Sequence, residues 1–137
     1  MPVLIFTRNG KVIGRVKAPP GANDVRVYWN IGIGWWTRNG RFMRGGGFLV
    51  PPGTNDFHLS LTGRFVPQPG IKPPPGANDF EARWSGSRIV EAWWTKNGKR
   101  IKPIPVEPGQ KQLSWRLPKV FAPTFRKGPA LKRRRRG

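Results

Sequence analysis

The sequence predicts an all-β protein: a small antiparallel β-sandwich or barrel built from a tandem duplication of hairpin units, with an extended basic C-terminal tail. Three observations predict it. Asn-Gly turns recur between strand-like runs, apolar and polar residues alternate after each Pro-Gly loop, and no segment has a convincing helical period. A sandwich of about eight to ten short strands fits best, with two similar halves packed face to face.

The hairpin units begin with a turn sequence, Thr-Lys/Arg-Asn-Gly-Lys/Arg, which occurs three times. Asn-Gly favours a type I′ hairpin, because both central residues need a positive φ. Like charges facing each other across a hairpin are mildly destabilising. The flanking cations therefore indicate an anionic partner at the tips, or they are solvated cations that were duplicated together with the turn sequence. These cations are Arg8, Lys11, Arg38, Arg41, Lys96 and Lys99.

A Pro-Gly loop follows each turn, and a strand with period-two alternation follows each loop. In three of the four loops an Asn-Asp pair precedes the strand. Such side chains bond their own backbone in Asx turns, so we expect Asp24, Asp56 and Asp79 to be structural.

The units pair into a larger repeat, in which residues 19–61 match residues 74–117. Trp29 aligns with Trp84 at an offset of 55, and Trp35-Trp36 aligns with Trp93-Trp94 at an offset of 58. We therefore predict a β-rich body over residues 1–117 that contains these two internal repeats. Thr62-Gly63-Arg64 is interpreted as a degenerate copy of the Asn-Gly turn.

The adjacent tryptophans must face opposite sides of their strands. Counting from the turns places Trp36 opposite Met43 and Trp94 opposite Ile101, as Phe6 lies opposite Ile13, which predicts that Trp36 and Trp94 are in the core. Trp35 and Trp93 then face away from it. A second layer of the sandwich fits them best. A subunit interface, where Trp is enriched, is the functional assignment that we give them, and base stacking is the further alternative.

Residues 118–137 are predicted to form a Pro-containing polybasic tail. Its cations can neutralise phosphates with release of counterions, a contact indifferent to base sequence. A nuclear import signal, a lipid-headgroup patch and a solvated tail are the alternatives. The tail residues assigned to polyanion binding are Lys127, Lys132, Arg133, Arg134, Arg135 and Arg136.

Composition argues against several other functions. The chain has no Cys, which excludes disulfides and thiolate metal sites. The single histidine, His58, falls on the polar face of a predicted strand and is expected at the surface. We predict no catalytic residues, no metal and no cofactor, and no membrane span, because the sequence has no apolar stretch of about 18 residues.

A net charge of +20 on 137 residues points to a polyanionic partner. We expect a non-catalytic structural protein of a nucleoprotein assembly, namely a capsid or capsid-associated protein of a virion, for example of a bacteriophage. It would contact nucleic acid through phosphates and bind other protein subunits. The alternatives are a ribosomal or other ribonucleoprotein component, located in the cytoplasm or an organelle, and a stand-alone non-specific nucleic-acid-binding protein. A cationic membrane-active protein and a cryptic enzyme are further alternatives.

Overall fold

The computed structural model describes residues 1–122, and within them the chain forms ten β-strands. Their bounds are β1 (Val3–Arg8), β2 (Lys11–Lys17), β3 (Asp24–Tyr28), β4 (Ile33–Arg38), β5 (Arg41–Leu49), β6 (Asp56–Ser60), β7 (Asp79–Ser85), β8 (Arg88–Lys96), β9 (Lys99–Pro103) and β10 (Gln112–Arg116).

The strands form two antiparallel sheets. The six-stranded sheet has the order β5-β4-β3-β7-β8-β9, and the four-stranded sheet has the order β10-β6-β1-β2. The predicted all-β fold is confirmed, and the architecture is a pair of sheets rather than a closed barrel.

One aromatic-rich core joins the two sheets. Phe80 of the six-stranded sheet stacks on Trp115 of the four-stranded sheet, with ring centroids 3.8 Å apart, and contacts Phe57 edge-on. Trp36 is 1% exposed and Trp94 is 3% exposed, which confirms their predicted place in the core. Burying such rings supplies the main favourable term for a fold made of short strands.

The predicted repeats lie side by side instead of face to face. Residues 19–61 contribute β3, β4 and β5 to the six-stranded sheet and β6 to the other, and residues 74–117 contribute β7, β8, β9 and β10 in the same way. The face-to-face packing that we predicted is wrong. Each unit contributes strands to both sheets. Its core-facing side chains therefore pack against side chains of the same unit and against those of the other unit.

Matching residues of the two units pair directly in each sheet, at the centre of the six-stranded sheet and at the β10 edge of the four-stranded sheet. In the six-stranded sheet Arg26 pairs with Glu81, its equivalent at the offset of 55, and in the four-stranded sheet His58 pairs with Ser114 at an offset of 56. In the six-stranded sheet the order outward from the Arg26–Glu81 pair is β3-β4-β5 on one side and β7-β8-β9 on the other, so the two units have matching strand orders. The register therefore has a local two-fold symmetry through both pairs.

Each Asn-Gly hairpin contains a β-bulge that shifts the predicted register. Phe6 pairs with Gly14 and Trp94 pairs with Lys102, one residue beyond the expected partners. In the β4–β5 hairpin the irregularity lies between Trp35 and Thr37, so Trp36 has no partner on β5 and its predicted pairing with Met43 is also wrong. Because a bulge inserts an extra residue into one strand, Ile13 and Ile101 remain exposed, and their predicted pairing is wrong.

Residues 62–72, which we call the cover segment, lie over the outer face of the four-stranded sheet. The Phe65 ring is 4.7 Å from the ring of His58, and Gln112 Nε2 donates to the Val66 carbonyl at 2.7 Å. Gly63 has a positive φ of 84°, as a turn requires, but no hairpin follows it. Pro67 and Pro69 lack the N–H groups that a strand ladder needs.

The first residues of the predicted tail contact the body. Phe121 packs against the core, and its backbone exchanges hydrogen bonds with Gly53 and Thr54, both at 2.8 Å. Contact between the predicted tail and the body therefore includes Phe121. Residues 123–137 lie outside the described part.

Candidate polyanion-binding surface

The three Asn-Gly turns have the backbone conformation that their sequence predicts. Asn9, Asn39 and Asn97 have φ values of 50°, 51° and 51°, and the glycines that follow have φ values of 83°, 81° and 83°. Both central positions are left-handed, as a type I′ turn requires. Asn tolerates this region better than most residues with a side chain, so the Asn-Gly pair is explained by geometry alone.

An asparagine from a Pro-Gly loop holds each of these turns in place. Asn39 N–H donates to Asn23 Oδ1 at 2.9 Å, and Asn23 Nδ2 donates to Asn39 Oδ1 at 2.8 Å. The same reciprocal contact joins Asn78 to Asn97 and Asn55 to Asn9. We call each pair an Asn clamp. The two repeated motifs of the sequence are thus two parts of one structural device.

The aspartates next to the clamps are structural, as predicted, although their partners are distant in sequence. Thr37 Oγ1 donates to Asp24 Oδ2, and Thr95 Oγ1 donates to Asp79 Oδ2, both at 2.7 Å. Asp56 instead accepts two hydrogen bonds from the Arg116 guanidinium, at 3.1 and 3.2 Å. Sequence reasoning assigned these aspartates to local Asx turns and missed the cross-strand hydroxyl donors.

The clamps leave the predicted tip cations exposed. Arg38 Nη1 donates to the Gly21 carbonyl at 2.8 Å, which draws this guanidinium over the Pro-Gly loop. Among residues 1–122, none of the six tip cations lies within 4.0 Å of a carboxylate. The tips thus present positive charge to solvent on turns that are hydrogen-bonded to the Pro-Gly loops.

The tips do not converge on one site. Successive neighbours β4, β3, β7 and β8 are all antiparallel, so the turn after β4 and the turn after β8 lie at opposite ends of the six-stranded sheet. The third turn, with Arg8 and Lys11, belongs to the four-stranded sheet. The structure therefore distributes the tip cations around the body.

Most of the positive charge within the described residues has no acidic partner there. Of the 26 Lys and Arg residues, 19 lie within residues 1–122, together with all six acids. Four of these cations form ion pairs in the described part of the chain, which leaves fifteen without a carboxylate neighbour. The four are Arg26, Arg83, Arg100 and Arg116.

Three of those arginines form a charged cluster on the outer face of the six-stranded sheet. Arg100 Nε lies 2.9 Å from Glu81 Oε1, Arg83 Nη2 lies 2.9 Å from Glu91 Oε2, and Arg26 bridges Asp24 and Glu81. Burial raises the pKa of Asp24 to about 6. Hydrogen bonds from Trp93 and Arg83 lower the pKa of Glu91. Opposite charges are balanced here, so this cluster is a poor place for a polyanion.

Trp35 and Trp93 both lie on this outer face, half-buried, and the structure gives them different surroundings. Trp35 stacks on Phe42, with ring centroids 5.4 Å apart, and its Nε1 donates to the Met43 carbonyl. Trp93 lies under the Arg100 guanidinium, 4.8 Å from the ring centroid, and its Nε1 donates to Glu91. The bulged hairpins therefore use both indoles as part of their own packing.

His58 is buried rather than at the surface, so that prediction is wrong. Its ring is 2% exposed, Thr7 Oγ1 lies 2.9 Å from Nε2, and Ser114 Oγ lies 2.7 Å from Nδ1. Burial lowers the pKa of His58 to about 4. The alternation pattern located the correct face of the strand, but only the tertiary structure places the cover segment over it.

The remaining predicted cations, at the C-terminus, lie outside the described residues: Lys127, Lys132, Arg133, Arg134, Arg135 and Arg136. Within residues 1–122 no helix is long and apolar enough to span a bilayer, and no cluster of three or more potential metal ligands occurs in that part of the chain. Comparison with protein families, with curated proteins and with solved structures found no match to this chain.

Proposed function

We propose that this protein is a non-catalytic structural component of a nucleoprotein assembly. The observation that carries the proposal is the set of fifteen cations within residues 1–122 that form no ion pair with a carboxylate in that part of the chain. A compact body with this charge repels itself unless a polyanion or counterions surround it. Nucleic acid supplies the required phosphates at high density, and binding through phosphates is independent of base sequence.

We propose further that the assembly is a virion, of bacteriophage type, and that the protein is a capsid or capsid-associated subunit. A rigid scaffold of short strands suits repeated subunit contacts, and a basic tail can reach a packaged genome. The local two-fold register around Arg26–Glu81 and His58–Ser114 supports an origin of the body by tandem duplication. Purification of the native particle tests the assignment: capsid proteins with genome are expected, and copurification with ribosomal RNA would contradict it.

The distribution of the tip cations predicts how they bind. We expect each to contact a separate stretch of phosphates, so that replacing all six by Gln lowers the salt slope of binding to a DNA duplex by roughly 0.9 for each phosphate that the variant no longer neutralises. The measurement is fluorescence anisotropy across a salt series. A matched variant neutralises six exposed cations elsewhere: Lys17, Arg64, Lys72, Arg88, Lys111 and Lys119. Equal effects of both variants would show that the tips have no special role.

The tail is tested by removing residues 132–137. Deletion should weaken DNA and RNA binding, because five of the 26 cations are removed, while the urea midpoint of the body is unchanged. Unaltered binding would reject the assignment of Lys132, Arg133, Arg134, Arg135 and Arg136.

A further inference from the structure

Two of the exposed sheet edges carry the features that prevent strands from pairing with another chain. Edge strands are blunted in natural proteins by charged side chains, especially Lys, and by Pro. β2 carries Lys11, Arg15 and Lys17 among its seven residues, and β9 carries three cations and ends at Pro103. The edge of β10 is occupied by the cover segment, whose Ile71 bridges to Trp115.

The edge strand β5 lacks this protection over its second half. Residues 45–49, with the sequence Gly-Gly-Gly-Phe-Leu, contain no charge and no proline, and β5 ends the strand order of its sheet. The first half of β5 carries Arg41 and Arg44, both exposed. β5 thus combines an uncharged backbone edge with positive charge at one end.

An apolar surface, which we call the β5 patch, adjoins this edge on the outer face. It consists of Ile33, Trp35, Phe42 and Leu49, of which Phe42 is 54% and Leu49 76% exposed. The Trp35 ring lies against the backbone of Gly47, where a Cβ would be only 2.7 Å from the ring. A shallow recess of about 240 Å³ between Trp35 and Leu49 completes the surface.

The matched half of the same sheet shows that the fold does not require this patch. Glu91 occupies the position equivalent to Ile33, and Arg100 occupies the position equivalent to Phe42, at the offset of 58. Both are charged, and they pair with each other at 3.3 Å. Since the equivalent half folds with charged residues at these places, the exposed apolar residues of the β5 patch point to a binding surface.

We propose that the β5 edge and its patch bind an extended segment of a partner protein in which apolar residues alternate with acidic ones. Such a segment adds a strand to β5, its apolar side chains cover the β5 patch, and its carboxylates meet Arg41 and Arg44. A second copy of this chain is a poor occupant, because each copy carries a net charge of +20. Nucleic acid is also a poor occupant, because Ile33 and Leu49 offer no stacking surface and Trp35 is already stacked on Phe42.

The experiment uses the full chain and two synthetic peptides of about eight residues, the length of a strand. In one Val alternates with Glu, and in the other Ser alternates with Glu, so that their charge is the same. Amide hydrogen exchange is followed at near-physiological salt. We expect the Val-Glu peptide to protect amides of residues 45–49, and the Ser-Glu peptide to leave them unchanged. Protection of β2 or β9 instead, or equal effects of both peptides, would overturn the proposal.

Two matched variants complete the test. Leu49→Lys places a charge on the proposed edge, and Ile101→Lys places one on the edge strand β9, where Ile101 is 44% exposed. Leu49→Lys should weaken binding of the Val-Glu peptide by about tenfold, the effect of removing one buried aliphatic side chain, and Ile101→Lys should not change it. Equal affinities of the two variants would contradict the assignment.

The other occupants give distinct results. Self-association of the protein alone that Leu49→Lys abolishes would assign the surface to a second copy, and protection of residues 45–49 by a single-stranded oligonucleotide would assign it to nucleic acid; either overturns the proposal. The inference rests on the assembly part of the proposed function and names the chemistry of one partner. Because the peptide experiment contains no nucleic acid, its failure leaves the phosphate-binding proposal untouched.

Discussion

The two matched halves of the six-stranded sheet are alike inside and different outside. Trp36 and Trp94 occupy equivalent buried positions, and the Asn clamps repeat with nearly the same distances. On the outer face, Phe42 stacks on Trp35 in one half, and Arg100 covers Trp93 in the other. The core and the turns therefore specify this fold, whereas the outer face tolerates both apolar and charged residues.

Pairs on the local two-fold axis are a special case. A residue there meets its own equivalent, so an identical pair of ionised side chains would repel. Arg26 instead meets Glu81, with Nη2 3.7 Å from Oε2, and His58 meets Ser114 through a hydrogen bond. Different residues in the two halves are favourable at these positions, because two identical side chains are replaced by two that attract or hydrogen-bond each other.

The greatest change in stability is expected from the core, and it tests whether the two interiors are equivalent. Trp36→Ala and Trp94→Ala should each lower the free energy of unfolding by about 3 to 5 kcal/mol, because each removes a large ring from the core. Urea denaturation measures both. A change near zero for either variant would show that the halves do not share one packed interior.

The next effect concerns His58, which has no histidine equivalent in the second half. With a folded-state pKa of about 4 and an unfolded value of 6.5, the unfolded chain binds the proton more tightly, so stability falls as the pH drops from 6.5 to 4. The full decrease is on the order of 3 kcal/mol. Urea midpoints across this range should reveal it in the wild type, and His58→Gln should remove it.

Protonation of Asp24 changes stability in the opposite direction over nearly the same pH range. Its raised pKa of about 6 means that the folded protein binds a proton more tightly than the unfolded chain, so stability rises as the pH falls from 6 to 3.8. Wild-type stability should therefore change less with pH than that of either single variant. His58→Gln should gain stability on acidification and Asp24→Asn should lose it; parallel pH profiles would contradict both assignments.

A smaller effect is expected from the Asn clamps. Asn23→Ala and Asn78→Ala each remove two reciprocal hydrogen bonds, and each should lower the free energy of unfolding by about 1 to 2 kcal/mol. Equal decreases would confirm that the clamps are equivalent in the two halves. Asn30→Ala is the control, since Asn30 is exposed and its side chain makes no hydrogen bond within the described residues. Thermal unfolding of the three variants provides the comparison.

The smallest change in the free energy of unfolding is expected for a substitution on the outer face. It tests directly whether that face accepts a charged residue in place of an apolar one. Phe42→Arg introduces the residue found at the equivalent place in the other half, and it should change the free energy of unfolding by less than about 0.5 kcal/mol, as for most surface substitutions. Calorimetry of this variant beside the wild type measures the difference. A decrease of several kcal/mol would mean that Phe42 is part of the core and would remove the basis for a binding patch.

Local rules of the amino-acid sequence were sufficient to predict the strand content, the type I′ turns and the inward face of Trp36 and Trp94. These rules are the positive φ of Asn-Gly and the alternation of side chains along a strand. The tertiary structure was needed to establish which loop clamps which turn, that the cover segment buries His58, and that the two units lie side by side in both sheets. Those outcomes depend on contacts between residues up to about 60 positions apart. Turn and strand patterns constrain the chain only locally. The packing of the whole core therefore determines which distant residues pair.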